Sequence, residues 1–132
     1  MQRRNFIKGG LLASTLSLKS SSAALAPIEF TPISAEERKS RVAKAQKLMA
    51  EKNIQAIILD AGINMNYYTG ISWHPSERSM LAIIPAKGEI NFICPACEED
   101  SFLEMAPEGT KVKTWEEDEN PFALTISVLK NL

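Results

Sequence analysis

The densest run of side chains able to do chemistry is Trp73-His74-Pro75-Ser76-Glu77-Arg78. It sets an indole, the chain's single imidazole and a guanidinium within six residues. Such a group could line a peptide-binding cleft, with Arg78 pairing a substrate carboxylate through charge-assisted hydrogen bonds. The surrounding stretch, 72–79, is polar and irregular, and loops held on a rigid scaffold are where binding residues concentrate. The plainer reading has Trp73 packed on the domain and Arg78 in an ordinary surface ion pair. Tyr67 and Tyr68 stand close by, just before Gly70. One ring is expected in the core and the other, taken as Tyr68, towards the cleft.

A second constellation is Cys94-Pro95-Ala96-Cys97. A C-x-x-C between a strand and a helix is the setting of a thiol redox site, because a helix N-terminus lowers a thiol pKa. The order of strands and helices around it does not match a thioredoxin fold. Adding His74 to the two cysteines gives only three metal ligands, in no zinc spacing. The run Glu116-Glu117-Asp118-Glu119 reads as a solvated loop, since carboxylates adjacent in sequence point apart and make a poor acid–base pair.

These residues need a scaffold, and its elements can be read in order. Ser34, with Glu37 three residues on, forms a capping box. It opens a helix over 35–52 whose buried stripe is Val42, Ala45, Leu48 and Met49. Arg38 and four lysines of that helix are expected to face water, and Asn53 is a plausible left-handed terminus. An apolar run over 55–59 predicts a strand covered on both faces. Asp60-Ala61-Gly62 breaks it, and a short helical turn over 64–68 ends at Gly70, which takes a backbone angle other residues resist. Strands over 80–84 and 90–94 flank the turn Pro85-Ala86-Lys87-Gly88-Glu89 as an antiparallel hairpin. A helix over 96–105, a strand over 110–115 and a helix over 122–132 follow. The last begins at Asn120-Pro121 and carries Phe122, Ile126 and Leu129 on one stripe. Elements in this order imply an α/β fold, a mixed sheet flanked by helices.

The chain's start carries a different message. Met1-Gln2-Arg3-Arg4-Asn5-Phe6-Ile7-Lys8 resembles the twin-arginine export motif through Arg3, Arg4, Phe6 and Lys8. The mildly apolar run behind it is far short of the roughly 20 residues that span a bilayer. A small-residue segment then ends at Ala26, suited to signal peptidase. Residues 1–26 are therefore expected to be a signal peptide, and export to the periplasm or outside the cell through the twin-arginine machinery follows. Those residues hold four bases and no acid, which leaves 11 bases against 16 acids and about -5 for residues 27–132. An acidic body excludes a nucleic-acid binder, which needs a basic footprint.

Three stretches together resemble one family. They are the helix running into Ile54-Gln55-Ala56-Ile57-Ile58-Leu59, the segment Asn64-Met65-Asn66-Tyr67-Tyr68-Thr69-Gly70, and Cys94-Pro95-Ala96-Cys97-Glu98. The second is similar to the "N-x-x-Y-x-T-G" segment, and the third to the "P-A-F-E" segment, of the Xaa-Pro aminopeptidase/prolidase/creatinase family. The passage from Val112 to Pro121 is similar to that family's "V-x-x-W-E-D-E-x-P". The resemblance implies a creatinase N-terminal-like, ribonuclease H-like sandwich over 27–132. It places Cys97 at an aromatic position, which points to packing for that side chain. Catalysis in this family belongs to a C-terminal "pita-bread" domain holding two divalent metals, often manganese, on two Asp, one His and two Glu. None of those positions falls in this chain, so the expectation is an accessory domain, cut off before the catalytic one and inactive alone. It would shape the cleft for a peptide cleaved before proline and contact its own catalytic domain and other subunits of a homo-oligomer. Other readings stay open: the same architecture acting on a small amidine, a free-standing binding module, and a thiol redox protein.

Overall fold

The computed structural model describes residues 30–132. The signal-peptide motif and the cleavage segment lie outside those residues.

Helix α1 (Ala35–Glu51) starts where its cap dictates, with the Ser34 hydroxyl accepting from the Glu37 N–H at 3.1 Å. The Glu37 carboxylate pairs with Arg41, one turn further on. Asn53 takes a left-handed φ of 57° and Ile54 N–H returns to the Met49 carbonyl at 2.9 Å, which closes the helix. The buried face differs from the expected stripe. Ala45 and Met49 are buried, but Leu48 is 44% exposed. Arg38, expected in water, instead lies with Arg41 along helix α2 (Ile63–Thr69). Their apolar stems cover part of it while their heads find polar partners, and this rotates the contact face away from Leu48.

Four strands follow: β1 (Ala56–Asp60), β2 (Leu81–Pro85), β3 (Asn91–Pro95) and β4 (Val112–Trp115). They lie in that order across the sheet. The pairs β1–β2 and β2–β3 are antiparallel, and β3–β4 is parallel. The sheet is thus mixed, as expected. Strand β1 corrects the reading of a strand covered on both faces. It is an edge strand, and its Ile58 remains 45% exposed. The strand with every residue buried is β2, which is paired on both sides.

The core has two layers, one on each sheet face. Met80, Ala82, Phe92 and Cys94 meet Met65 of α2 and Phe102 of helix α3 (Glu99–Met105) on one face. A 3₁₀ turn (Ala96–Glu98) leads into α3, so the expected single helix begins with a tighter turn. Leu81, Ile83, Ile93 and Trp115 meet Val128 of helix α4 (Pro121–Lys130) on the other face. Asn120 caps α4, its side chain accepting from the Phe122 N–H at 2.9 Å, with Pro121 in the first turn.

The buried face of α4 also corrects the sequence reading. Phe122 and Ile126 are 60% and 52% exposed, whereas Thr125 and Val128 are buried and Leu124 and Leu129 pack beside them. Two apolar stripes run along this helix at equal spacing, and periodicity cannot choose between them. Thr125 can sit inside because its hydroxyl donates to the Pro121 carbonyl at 2.8 Å.

Candidate functional site

Strand directions decide which loops meet. The register places Asp60 opposite Leu81, Leu81 opposite Ile93, and Pro95 opposite Trp115. The ends of β1, β3 and β4 and the start of β2 therefore share one end of the sheet. The segments that leave or enter there are 61–62, 71–80, 96–98 and 116–120. One hydrogen bond ties two of them, the Trp115 indole N–H donating to the Ser79 carbonyl at 3.1 Å.

At this end lies an open hollow of about 670 Å³, lined by residues of 60–66 and 72–75. That volume falls within the usual range for small-molecule and peptide sites. Its lining includes Trp73, His74 and Pro75 from one segment and Asp60, Asn64 and Asn66 from the other. Trp73 is half-buried, because its ring meets Phe102 edge-on at 6.3 Å between centroids. The contact fixes the indole while leaving part of it to the hollow. His74 is exposed. The shape of the rim depends on Gly62, whose φ of 124° admits few side chains and brings the chain against Pro75.

The structure separates the other sequence candidates from this pair. Tyr68 does not line the hollow. Its ring stands edge-on to Tyr67 at 4.9 Å, and Tyr67 carries the Arg41 guanidinium over its face at 4.1 Å from the centroid. Arg41 also donates to the Tyr67 carbonyl at 3.1 Å. This cluster joins α1 to α2 and is a packing device.

Arg78 lies outside the hollow's lining as well. It pairs with Glu117 at 2.6 Å, and its N–H donates to the Ser76 hydroxyl at 3.1 Å. The hydrogen bond to Glu117 holds the guanidinium pKa above its ordinary value, with the nearby Cys97 adding to the effect. The acidic loop thus supplies a partner that ties 116–119 to 76–79.

The two cysteines are unlike each other. Cys94 is buried on β3 and Cys97 is exposed, both as free thiols. It is therefore Cys94, not Cys97, that packs in the core. Burial first, and then the negative charge of Glu98 and Glu99, push the Cys94 thiol up to about 12. A thiol so raised is a poor nucleophile at neutral pH. Among the described residues, no group of three or more His, Cys, Asp or Glu is placed to hold a metal ion.

Residues that sequence reasoning passed over are Asp60, Asn64, Asn66 and Ser72, all on the hollow. Asp60-Ala61-Gly62 read as a strand break. The signal available was a carboxylate in that break, directly before a glycine and an amide-rich turn.

Comparison with known proteins settles the family. The model of the creatinase/prolidase N-terminal domain matches residues 41–132. The chain belongs to that family. An uncharacterized peptidase of Schizosaccharomyces pombe is 32% identical over 108 residues, covering 71% of this chain and 24% of the relative. Among solved structures, dipeptidase PepE of Mycobacterium ulcerans superposes with a TM-score of 0.64 at 23% identity, over 70% of this chain and 26% of that one. Recombinant prolidase of Thermococcus sibiricus gives 0.61 at 25% identity, over 78% and 26%. The chain spans about a quarter of the length of these relatives. The mixed four-stranded sheet with its helices is the creatinase N-terminal-like fold of those neighbours.

Proposed function

We propose that this creatinase/prolidase N-terminal domain is the accessory domain of an exported metallopeptidase that cleaves the peptide bond before proline. In this reading it forms one wall of the substrate cleft. One observation carries the proposal: in a chain of this family, two loops converge at one end of the sheet on an open hollow lined by aromatic, imidazole and amide groups. Such a mixture suits peptide backbone and a neighbouring apolar side chain. The peptidase relatives support the class of reaction.

The metals expected of the family, two divalent ions that are often manganese, would belong to a catalytic domain. The described residues offer them no donor set, so no step of the chemistry is assigned to this domain. Its contribution is to bind, to orient and to exclude water. Contacts with a catalytic domain and with other subunits belong to the same proposal, as does passage to the periplasm by the twin-arginine route, which rests on Arg3, Arg4, Phe6 and Lys8. The buried, raised thiol of Cys94 lends no support to a redox role.

The test compares the product of the complete gene with the 132-residue chain, each supplied with manganese and an X-Pro dipeptide. Hydrolysis by the first and none by the second is expected. A complete product inert towards X-Pro peptides, or a 132-residue chain that cleaves them, overturns the proposal.

A further inference from the structure

The two outer strands of the sheet are unlike. On β4, Lys113 is exposed, with Lys111 just ahead of the strand. Charged side chains on an edge strand oppose pairing with another strand. The β1 edge reads Gln55-Ala56-Ile57-Ile58-Leu59-Asp60. It holds no lysine, proline or glycine. Residues Ala56–Asp60 keep an unbroken register with β2, so no bulge turns the strand aside.

Two hydrogen bonds fix which backbone groups this edge displays. The Ala61 N–H donates to the Met80 carbonyl at 3.0 Å, and the Ala86 N–H donates to the Gln55 carbonyl at 2.8 Å. In an antiparallel ladder, alternate residues turn both backbone groups to the same neighbour. Gln55, Ile57, Leu59 and Ala61 therefore face β2, and Ala56, Ile58 and Asp60 turn their N–H and C=O outward. Among the described residues, no hydrogen bond reaches those outward groups. Ile58 stands opposite Ile83, on the face where Leu81, Ile83 and Ile93 meet α4. Ile83 is fully buried there, yet Ile58 is 45% exposed, and Ile54 just ahead of the strand is 43% exposed. An apolar edge with unmade backbone bonds is a template for a further strand.

We propose that β1 pairs antiparallel with β1 of a second copy, about a two-fold axis at Ile58. The strand fits itself in that arrangement, as an isologous contact requires. Residues 56–60 centre on Ile58, so Ile58 of each copy meets Ile58 of the other, and Ala56 meets Asp60. All three are outward-facing residues that can exchange both backbone bonds. The two Ile58 side chains then cover one another. Charge fits as well. Lys52 is exposed just ahead of the strand and Asp60 is exposed at its end, and antiparallel pairing brings the start of one strand to the end of the other. The dimer gives a surface to the subunit contacts proposed above, but it rests on the sheet edge and not on the peptidase reading.

Sedimentation of the 132-residue chain over a concentration series tests it, with a dimer expected at the upper end. Ile58→Pro removes an N–H that points outward, so the ladder to β2 stays whole. The variant should remain folded by circular dichroism. It should dimerise about tenfold more weakly or worse, since each copy loses a hydrogen bond at the axis. Ile58→Lys sets a charge at the same point and serves as a second variant. Cross-linking reads the register. With Cys97→Ser removing the exposed thiol, Ile58→Cys should form a disulfide dimer, because its two Cα atoms face one another at about 5.5 Å. Ala56→Cys should not. A chain that stays monomeric up to millimolar concentration overturns the proposal. So does a dimer that both Ile58 variants leave intact, or one cross-linked through position 56 and not 58. Position 58 lies off the hollow, so X-Pro cleavage by the complete gene product is a separate readout. Cleavage without dimerisation sinks the edge contact and leaves the peptidase reading standing, and dimerisation through Ile58 without cleavage does the reverse.

Discussion

The Arg38 side chain lies directly over Gly70. A Cβ at position 70 would stand 2.8 Å from its Nε and 2.9 Å from its Cζ. Gly70 also ends α2 in the left-handed region, at φ 82°. Two independent constraints therefore fall on one residue, and both concern how α2 meets α1.

Gly70→Ala should accordingly destabilise the domain. The left-handed angle alone costs a residue with a Cβ about 1–2 kcal/mol, and displacing Arg38 adds to it. Urea denaturation of the variant checks this. Combining it with Arg38→Ala should recover the steric part only, so a full recovery of the midpoint would show that the backbone angle carries no strain.

Trp115→Phe removes the indole N–H that reaches the Ser79 carbonyl while keeping most of the buried ring. A loss of about 1–2 kcal/mol is expected from the unmade hydrogen bond. Hydrogen exchange should rise across 76–80, beside the hollow, ahead of the rest of the sheet. Unaltered protection there would mean the bond does not hold the loop.

Cys97 should react with a thiol reagent in the native protein at pH 8, and Cys94 only after unfolding. Mass spectrometry before and after denaturant counts the labels. The raised Cys94 pKa also carries a pH dependence. Between its ordinary 9.0 and about 12, the unfolded chain has released a proton that the folded chain still holds. Stability from this group is thus full below about pH 9 and declines as pH rises towards 12. Cys94→Ala should flatten that decline, at the cost of a small cavity.

Arg78→Ala should leave the global unfolding midpoint nearly unchanged, because the pair with Glu117 is largely exposed. Its effect should be local. Exchange should quicken at 76–79, and Glu117→Gln should reproduce it. A large fall in the midpoint for either variant would contradict the assignment of this pair to loop anchoring.

Much of the scaffold was legible because it depends on neighbours in sequence. Ser34, Asn120-Pro121 and Gly70 announce helix ends through local hydrogen bonding and backbone angles. The hairpin between β2 and β3 has its turn residues in plain view. Errors came where the answer depends on tertiary partners. Leu48 and Val42 look alike as members of a stripe until Arg38 and Arg41 claim the groove beside α2. Phe122 and Val128 are equally apolar until α4 docks. Trp73 and His74 were visible as site candidates by residue type, but Arg78 and Glu117 stand 39 positions apart, and the loops that carry them meet because β3 and β4 run parallel. Asp60 was hidden for a like reason, since its place on the hollow depends on where segment 72–75 returns before β2.

The far end of the sheet behaves differently. There Gln46 of α1 donates to the carbonyls of Pro85 and Gly88, both at 2.9 Å, and fastens the hairpin by its backbone alone. Beyond that clasp the tip is sterically open, a Cβ at Gly88 meeting nothing within 4 Å, although its φ of 100° strains any residue but glycine. The two ends of the sheet therefore differ in how tightly their segments are tied together. One end is crowded with interdependent loops, where a change in one must be answered in another. The other is a short turn held at its base by one glutamine side chain and open beyond it.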